Sequence, residues 1–92
     1  MSDMDKGTFQ AVVEKIVAGF EDAGFKAAMA QATAAGDVMA IANLAMGVQS
    51  RVFADYGLDP VAGQTAFKAA GRLYALEPEV APLLARMKAA LR

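Results

Sequence analysis

Phe9, Val12, Val13, Ile16, Val17 and Phe20 recur at intervals of three and four residues, a spacing that gathers all six on one face of an α-helix. Toward the other end, Val80, Leu83, Leu84, Met87 and Leu91 repeat the pattern. Between them the chain is dominated by alanine and glycine, and no stretch alternates with the period of two that a half-buried strand requires. An amphipathic stripe must be buried against another element, and the only elements on offer are further helices. The expected fold class is therefore all-α, a single compact bundle of four to five short helices. The stripes at the two ends read as its outer members, with helices one, three and five carrying the main apolar faces.

Punctuation residues divide the chain. Residues 1–7 read as a flexible N-terminus and 8–92 as the helical bundle domain. Thr8 is the expected N-cap of a first helix reaching about Glu21, with Gly24 loosening the chain after it. A second helix places Phe25, Ala28, Met29 and Ala32 on one face and ends at Ala35, because Gly36 suits a left-handed terminating residue. Asp37 then caps a third helix, in which Val38, Ile41, Ala45, Val48 and Val52 form a coiled-coil-like seam flanked by Met39, Met46 and Phe53. It stops at Tyr56-Gly57. Asp59-Pro60 combines a capping carboxylate with a proline at the first helical position, and predicts a fourth helix to about Leu76. Within it, Ala62, Gly63, Ala66, Ala69, Ala70 and Gly71 leave room for a neighbouring backbone, while Phe67, Leu73 and Tyr74 supply bulk. Glu77-Pro78-Glu79 opens a fifth helix in the same manner, with Pro82 about one turn inside it and tightening that turn.

The length, 92 residues, allows one domain with a radius of gyration of about 12 Å. At 57% the hydrophobic fraction exceeds the roughly 45–50% of ordinary globular domains. Much of the excess is alanine, which buries little area, so the core is modest and a partner or homo-oligomer would add to it. A net charge of −1 gives no electrostatic reason to expect nucleic acid. Lys68, Arg72, Arg86, Lys88 and Arg92 read as a solvated helix face. The start of the chain, polar and acidic, resembles neither a signal nor a transit peptide. The weakly polar stretch from Val38 to Val48 falls short of the about 20 residues needed to span a bilayer. Together with the absence of cysteine these features point to the cytoplasm, with nuclear entry open to so small a chain.

Without histidine or cysteine, nucleophile–histidine pairs, thiolate catalysis and the usual transition-metal ligand sets are missing. The carboxylates Glu21, Asp22, Glu77 and Glu79 fall at helix boundaries, where they complement unpaired N–H groups or face water. No catalytic, cofactor-binding or metal-binding residue is expected, and the chain reads as a non-enzyme without cofactor. Met29, Met39 and Met46 suit either core packing or an adaptable contact with a partner helix. If exposed, Met39, Met46, Gln49, Arg51, Phe53 and Tyr56 would make a partner-binding patch on the third helix, with aromatic and arginine anchors. The leading functional expectation is a helical protein-interaction module, a small adaptor or accessory subunit of a larger assembly. The alternative is a carrier of an apolar ligand, lipid or pigment, between the small-residue helices.

The segments Gln49-Ser50-Arg51-Val52-Phe53-Ala54-Asp55-Tyr56-Gly57-Leu58, Glu77-Pro78-Glu79-Val80-Ala81 and Met87-Lys88-Ala89-Ala90-Leu91 carry a family resemblance. With Val13-Glu14-Lys15-Ile16-Val17-Ala18-Gly19-Phe20 and the segment around Met29, the chain resembles the small eukaryotic protein C-ten family over most of residues 9–91. It departs in being shorter between Phe20 and Tyr56 and after Leu58, in lacking a Pro-rich tail, and at Pro82. The resemblance implies an all-helical fold and a eukaryotic origin, and brings no catalytic residue with it.

Overall fold

The computed structural model describes residues 4–90, in five helices: α1 (Lys6–Phe20), α2 (Ala23–Ala35), α3 (Val38–Asp55), α4 (Pro60–Tyr74) and α5 (Ala81–Ala90). Among the described residues there is no strand. Four of the five helices start on an aspartate. Asp5, Asp22, Asp37 and Asp59 each accept a hydrogen bond from the backbone N–H three residues on, at Thr8, Phe25, Ala40 and Ala62, over 2.7 to 3.1 Å. Each thereby satisfies one of the donors that a helix start leaves orphaned.

The first of these caps moves a boundary. Thr8 lies inside α1, whose cap is Asp5, and Met4 is buried in the core cluster. The bundle therefore takes in residues expected to precede it, Lys6 and Gly7 being helical. Residues 1–3 and 91–92, and with them Leu91 of the second stripe, lie outside the described residues. Gly24 is likewise helical, in the first turn of α2, so that Glu21 and Asp22 alone connect α1 to α2. The expected stops at Gly36 and Gly57 are as read, at φ of 67° and 73°. There a side chain would be strained. After α4, residues 75–80 form turns, so Glu77-Pro78-Glu79 precedes α5 instead of opening it. Pro82 is the second residue of α5; it has no N–H to offer the Pro78 carbonyl, and the regular ladder is established only from this point.

α1 is the central helix and not an outer one. It packs against all four others, and Phe9, Val12, Val13, Ile16, Val17 and Phe20 are all buried. A stripe two adjacent columns wide has room for neighbours on both flanks, which is why α3 and α5 both rest on it. α3 packs in addition against α2 and α4. α5 contributes no fully buried residue; it leans on α1 through half-buried Leu83, Leu84 and Met87, and is anchored by buried Val80 just before it. Lys6 at the start of α1 pairs with Glu77 and Glu79 ahead of α5, and Glu21 just past the end of α1 pairs with Arg86 well along α5. The two helices therefore run parallel.

Two aromatic clusters pin the ends of α1. Phe9 meets Phe67 of α4 at 5.2 Å and Tyr74 at 6.1 Å between ring centroids, and Phe67 continues to Phe53 of α3 at 5.8 Å. At the far end Phe20 stacks on Phe25 of α2 at 5.1 Å. The small residues permit two close crossings. A Cβ on Gly19 would fall 2.6 Å from Val48, and one on Gly63 would fall 2.5 Å from the Phe53 ring. The expected close approach at α4 is thus located at Gly63. The radius of gyration, 13.3 Å, slightly exceeds the compact expectation because the bundle is flattened, 39 × 27 × 19 Å.

Candidate functional site

The six residues of the expected patch separate into three environments. Met39 and Met46 lie two turns apart on the solvent side of α3, 72% and 54% exposed, with Val38 exposed beside them. Between the methionines the same side carries exposed Ala42 and Asn43. Phe53 is fully buried, its ring held between Phe67 and the bare backbone of Gly63, so the aromatic anchor assigned to the patch belongs to the core. Val38 also leaves the seam that continues inward through Val48 and Val52.

Gln49, Arg51 and Tyr56 occupy the margin. The Gln49 carbonyl oxygen accepts from the Gln64 amide across the α3–α4 crossing, which removes Gln49 from free surface. Tyr56 is half-buried, with the Lys15 ammonium 5.0 Å from its ring centroid, a cation–π arrangement that ties α1 to the end of α3. Arg51 is exposed and lines a shallow groove with Lys15, Gly19 and Asp55. The accessible part of the patch is therefore Met39, Met46 and Arg51, with Val38 added.

Two exposed leucines fell outside the patch. Leu73, expected to supply bulk inside the bundle, is 72% exposed, and Leu76 just beyond α4 is 95% exposed. Another concavity lies between α2 and α5, where Lys26, Met29, Ala30, Thr33, Ala34, Ala89 and Ala90 surround an open groove of about 590 Å³. Most of its lining is small, because alanine on both helices leaves space that no larger side chain fills.

Ionisable side chains lie at the surface: among the described residues no polar or charged side chain is buried. No three His, Cys, Asp or Glu side chains among them converge as a metal site would require. The one network with shifted ionisation joins Lys6 to Glu79 at 3.1 Å and to Glu77 at 3.4 Å. The hydrogen bond to Glu79 raises the Lys6 pKa. Glu79 is lowered first by its own backbone N–H and then by Lys6. Asp5 is lowered by the backbone N–H and side chain of Thr8. A lowered carboxylate adds stability above its unfolded pKa and loses it as pH falls through the folded value, whereas raised Lys6 adds stability that is lost as pH rises through its folded value. The melting temperature is thus expected to be level between about pH 5 and pH 10 and to fall on either side. Circular dichroism melts test this: Asp5→Asn should blunt the acid limb, and Lys6→Gln should blunt the alkaline one. Asp5 is exposed and Lys6 partly so, which makes both effects small and salt-sensitive.

Comparison of the chain with protein-family models, with curated proteins and with solved structures returns no match. Among the described residues no helix is long and apolar enough to cross a membrane.

Proposed function

We propose that the chain is a non-enzymatic helical interaction module, a small adaptor or accessory subunit that binds a partner protein through the outer side of α3. The observation that carries this reading is the placement of Met39 and Met46 two turns apart, exposed, on a helix whose opposite side is locked into the core. Unbranched thioethers at that spacing can adapt to the ridges of a partner helix. Asn43 between them and Arg51 at the far end supply the polar margin. The cytoplasm is the proposed location. The order of the segments over most of residues 9–91 supports the proposed kinship with the small eukaryotic protein C-ten family.

Affinity capture from the source cells tests the module. Met39→Glu with Met46→Glu is expected to leave the melting temperature within about 2 °C, since surface changes stay within about 0.5 kcal/mol, and to abolish recovery of whatever the native chain retains. Unchanged recovery would move the site elsewhere, and an unfolded variant would place these methionines in the core.

The groove between α2 and α5 favours a second reading, carriage of an apolar ligand. Its volume lies within the about 300–1,000 Å³ of small-molecule sites. Native mass spectrometry on protein from the source cells would show a bound mass if this holds, and only the bare chain if it does not.

A further inference from the structure

Each of the other four helices has at least three buried residues; α5 has none. Its contact with α1 is long but shallow. Leu83, Leu84 and Met87 are half-buried, while the α1 stripe they lean on is closed off from water almost completely. Among the described residues α1 is also the only helix with which α5 shares a broad contact. At Ala89 and Ala90 an open groove parts α5 from α2. The rest of the bundle is tied together without α5. Tyr74, Phe9, Phe67 and Phe53 form a continuous aromatic row from α4 through α1 to α3, Phe20 stacks on Phe25 of α2, and the close crossings lie at Gly19 and Gly63.

The polar ties of α5 are as exposed as its apolar ones. Lys6 with Glu77 and Glu79, and Glu21 with Arg86, are ion pairs in which every side chain is at least 37% exposed. Such pairs hold weakly. At the near end, Pro82 offers no N–H to the Pro78 carbonyl, so the joint that connects α5 to buried Val80 lacks a ladder bond.

We propose that α5 is a releasable cover, which swings away from α1 about Val80 while α1 to α4 stay folded. Local openings draw on elements with few buried apolar contacts, and α5 is that element here. Partial burial of three side chains closes it, whereas fully buried side chains hold the other helices together. Opening bares one flank of the α1 stripe, an apolar surface of helix length that α5 guards in the closed form. The opening uses neither the outer side of α3 nor a ligand in the α2–α5 groove, so it and those readings can fail separately.

Hydrogen exchange of the full chain, resolved by residue with NMR, tests the cover. Amides within α5 are expected to be protected at least about tenfold less than those of α1 and α3, yet clearly more than in an unstructured chain. Urea below the unfolding transition should accelerate α3 amides more steeply than α5 amides, because opening α5 exposes less surface than unfolding the whole. Gly63→Ala strains the α3–α4 crossing, which is present in both the closed and the open form. It should therefore change exchange in α3 and leave α5 within about twofold. A single protection and urea slope shared by all helices, or α5 following α3 in Gly63→Ala, would show that α5 opens only with the whole domain and overturn the proposal. Amides of α5 exchanging as in an unstructured chain would overturn it equally, since no closed form would exist to be released.

Discussion

Phe53→Ala is expected to lower the free energy of unfolding by about 3–5 kcal/mol, a large share of the about 5–15 kcal/mol that holds a small domain together. The ring is fully buried where α3 crosses α4, stacked obliquely on Phe67 and seated against Gly63. Removing it leaves Phe67 without one of its two aromatic neighbours and opens a cavity whose lining is partly backbone. A glycine backbone fixed inside a helix cannot move in to fill the space, so relaxation is limited and the upper part of the range applies. Urea unfolding followed by circular dichroism measures the loss. A variant that loses less than about 1 kcal/mol would mean that the ring is replaceable at this crossing.

Gly63→Ala should destabilise through the same contact in the opposite sense. A Cβ there would lie 2.5 Å from Cδ2 and 2.6 Å from Cγ of Phe53, and 3.0 Å from its Cβ, so the obstacle includes the stem of the side chain. Overpacking of this kind costs about 1–3 kcal/mol, and the gain of about 1 kcal/mol in helix propensity offsets only part of it. Gly47 supplies the control, because it too is helical but a Cβ there meets nothing within 4 Å. Gly47→Ala is expected to stabilise by up to about 1 kcal/mol. The two substitutions, identical in chemistry, should therefore shift the urea midpoint in opposite directions. A stabilised Gly63→Ala would show that α3 and α4 can separate without loss.

Helix starts and stops were legible where a single residue type has one physical use. Gly36 and Gly57 adopt the left-handed conformation that other residues avoid, and Asp37 and Asp59 stand immediately before apolar helices. Asp5 and Thr8 are both competent caps one turn apart, and the choice between them fell to contacts remote in sequence. Burial of Met4 and the pairing of Lys6 with Glu79, across the whole chain, hold the earlier turn in place. The candidate site was less legible for a related reason. Periodicity assigns a residue to a face, but which face is covered depends on neighbours that the helix does not specify. Phe53 and Met46 both flank the seam of α3; α4 covers the first, and nothing among the described residues covers the second. Leu73 shows the converse, a large apolar residue whose helix turns a different face inward, where Gly63, Ala66 and Ala70 lie.

The parallel pairing of α1 with α5 has a consequence for the order in which the fold can be completed. The helix that follows α1 most closely, α2, shares little of its length, and the long flanks of its stripe are covered by α3 and α5. During synthesis α1 thus precedes α5, the helix that covers one flank of its stripe, by the whole of α2, α3 and α4. Until α5 is made, part of that stripe has no intramolecular shelter, and contacts this distant slow the final docking step. The nascent chain is therefore most exposed to chaperones and to misassociation over one long interval of its synthesis, and a truncation within α5 would make that interval permanent.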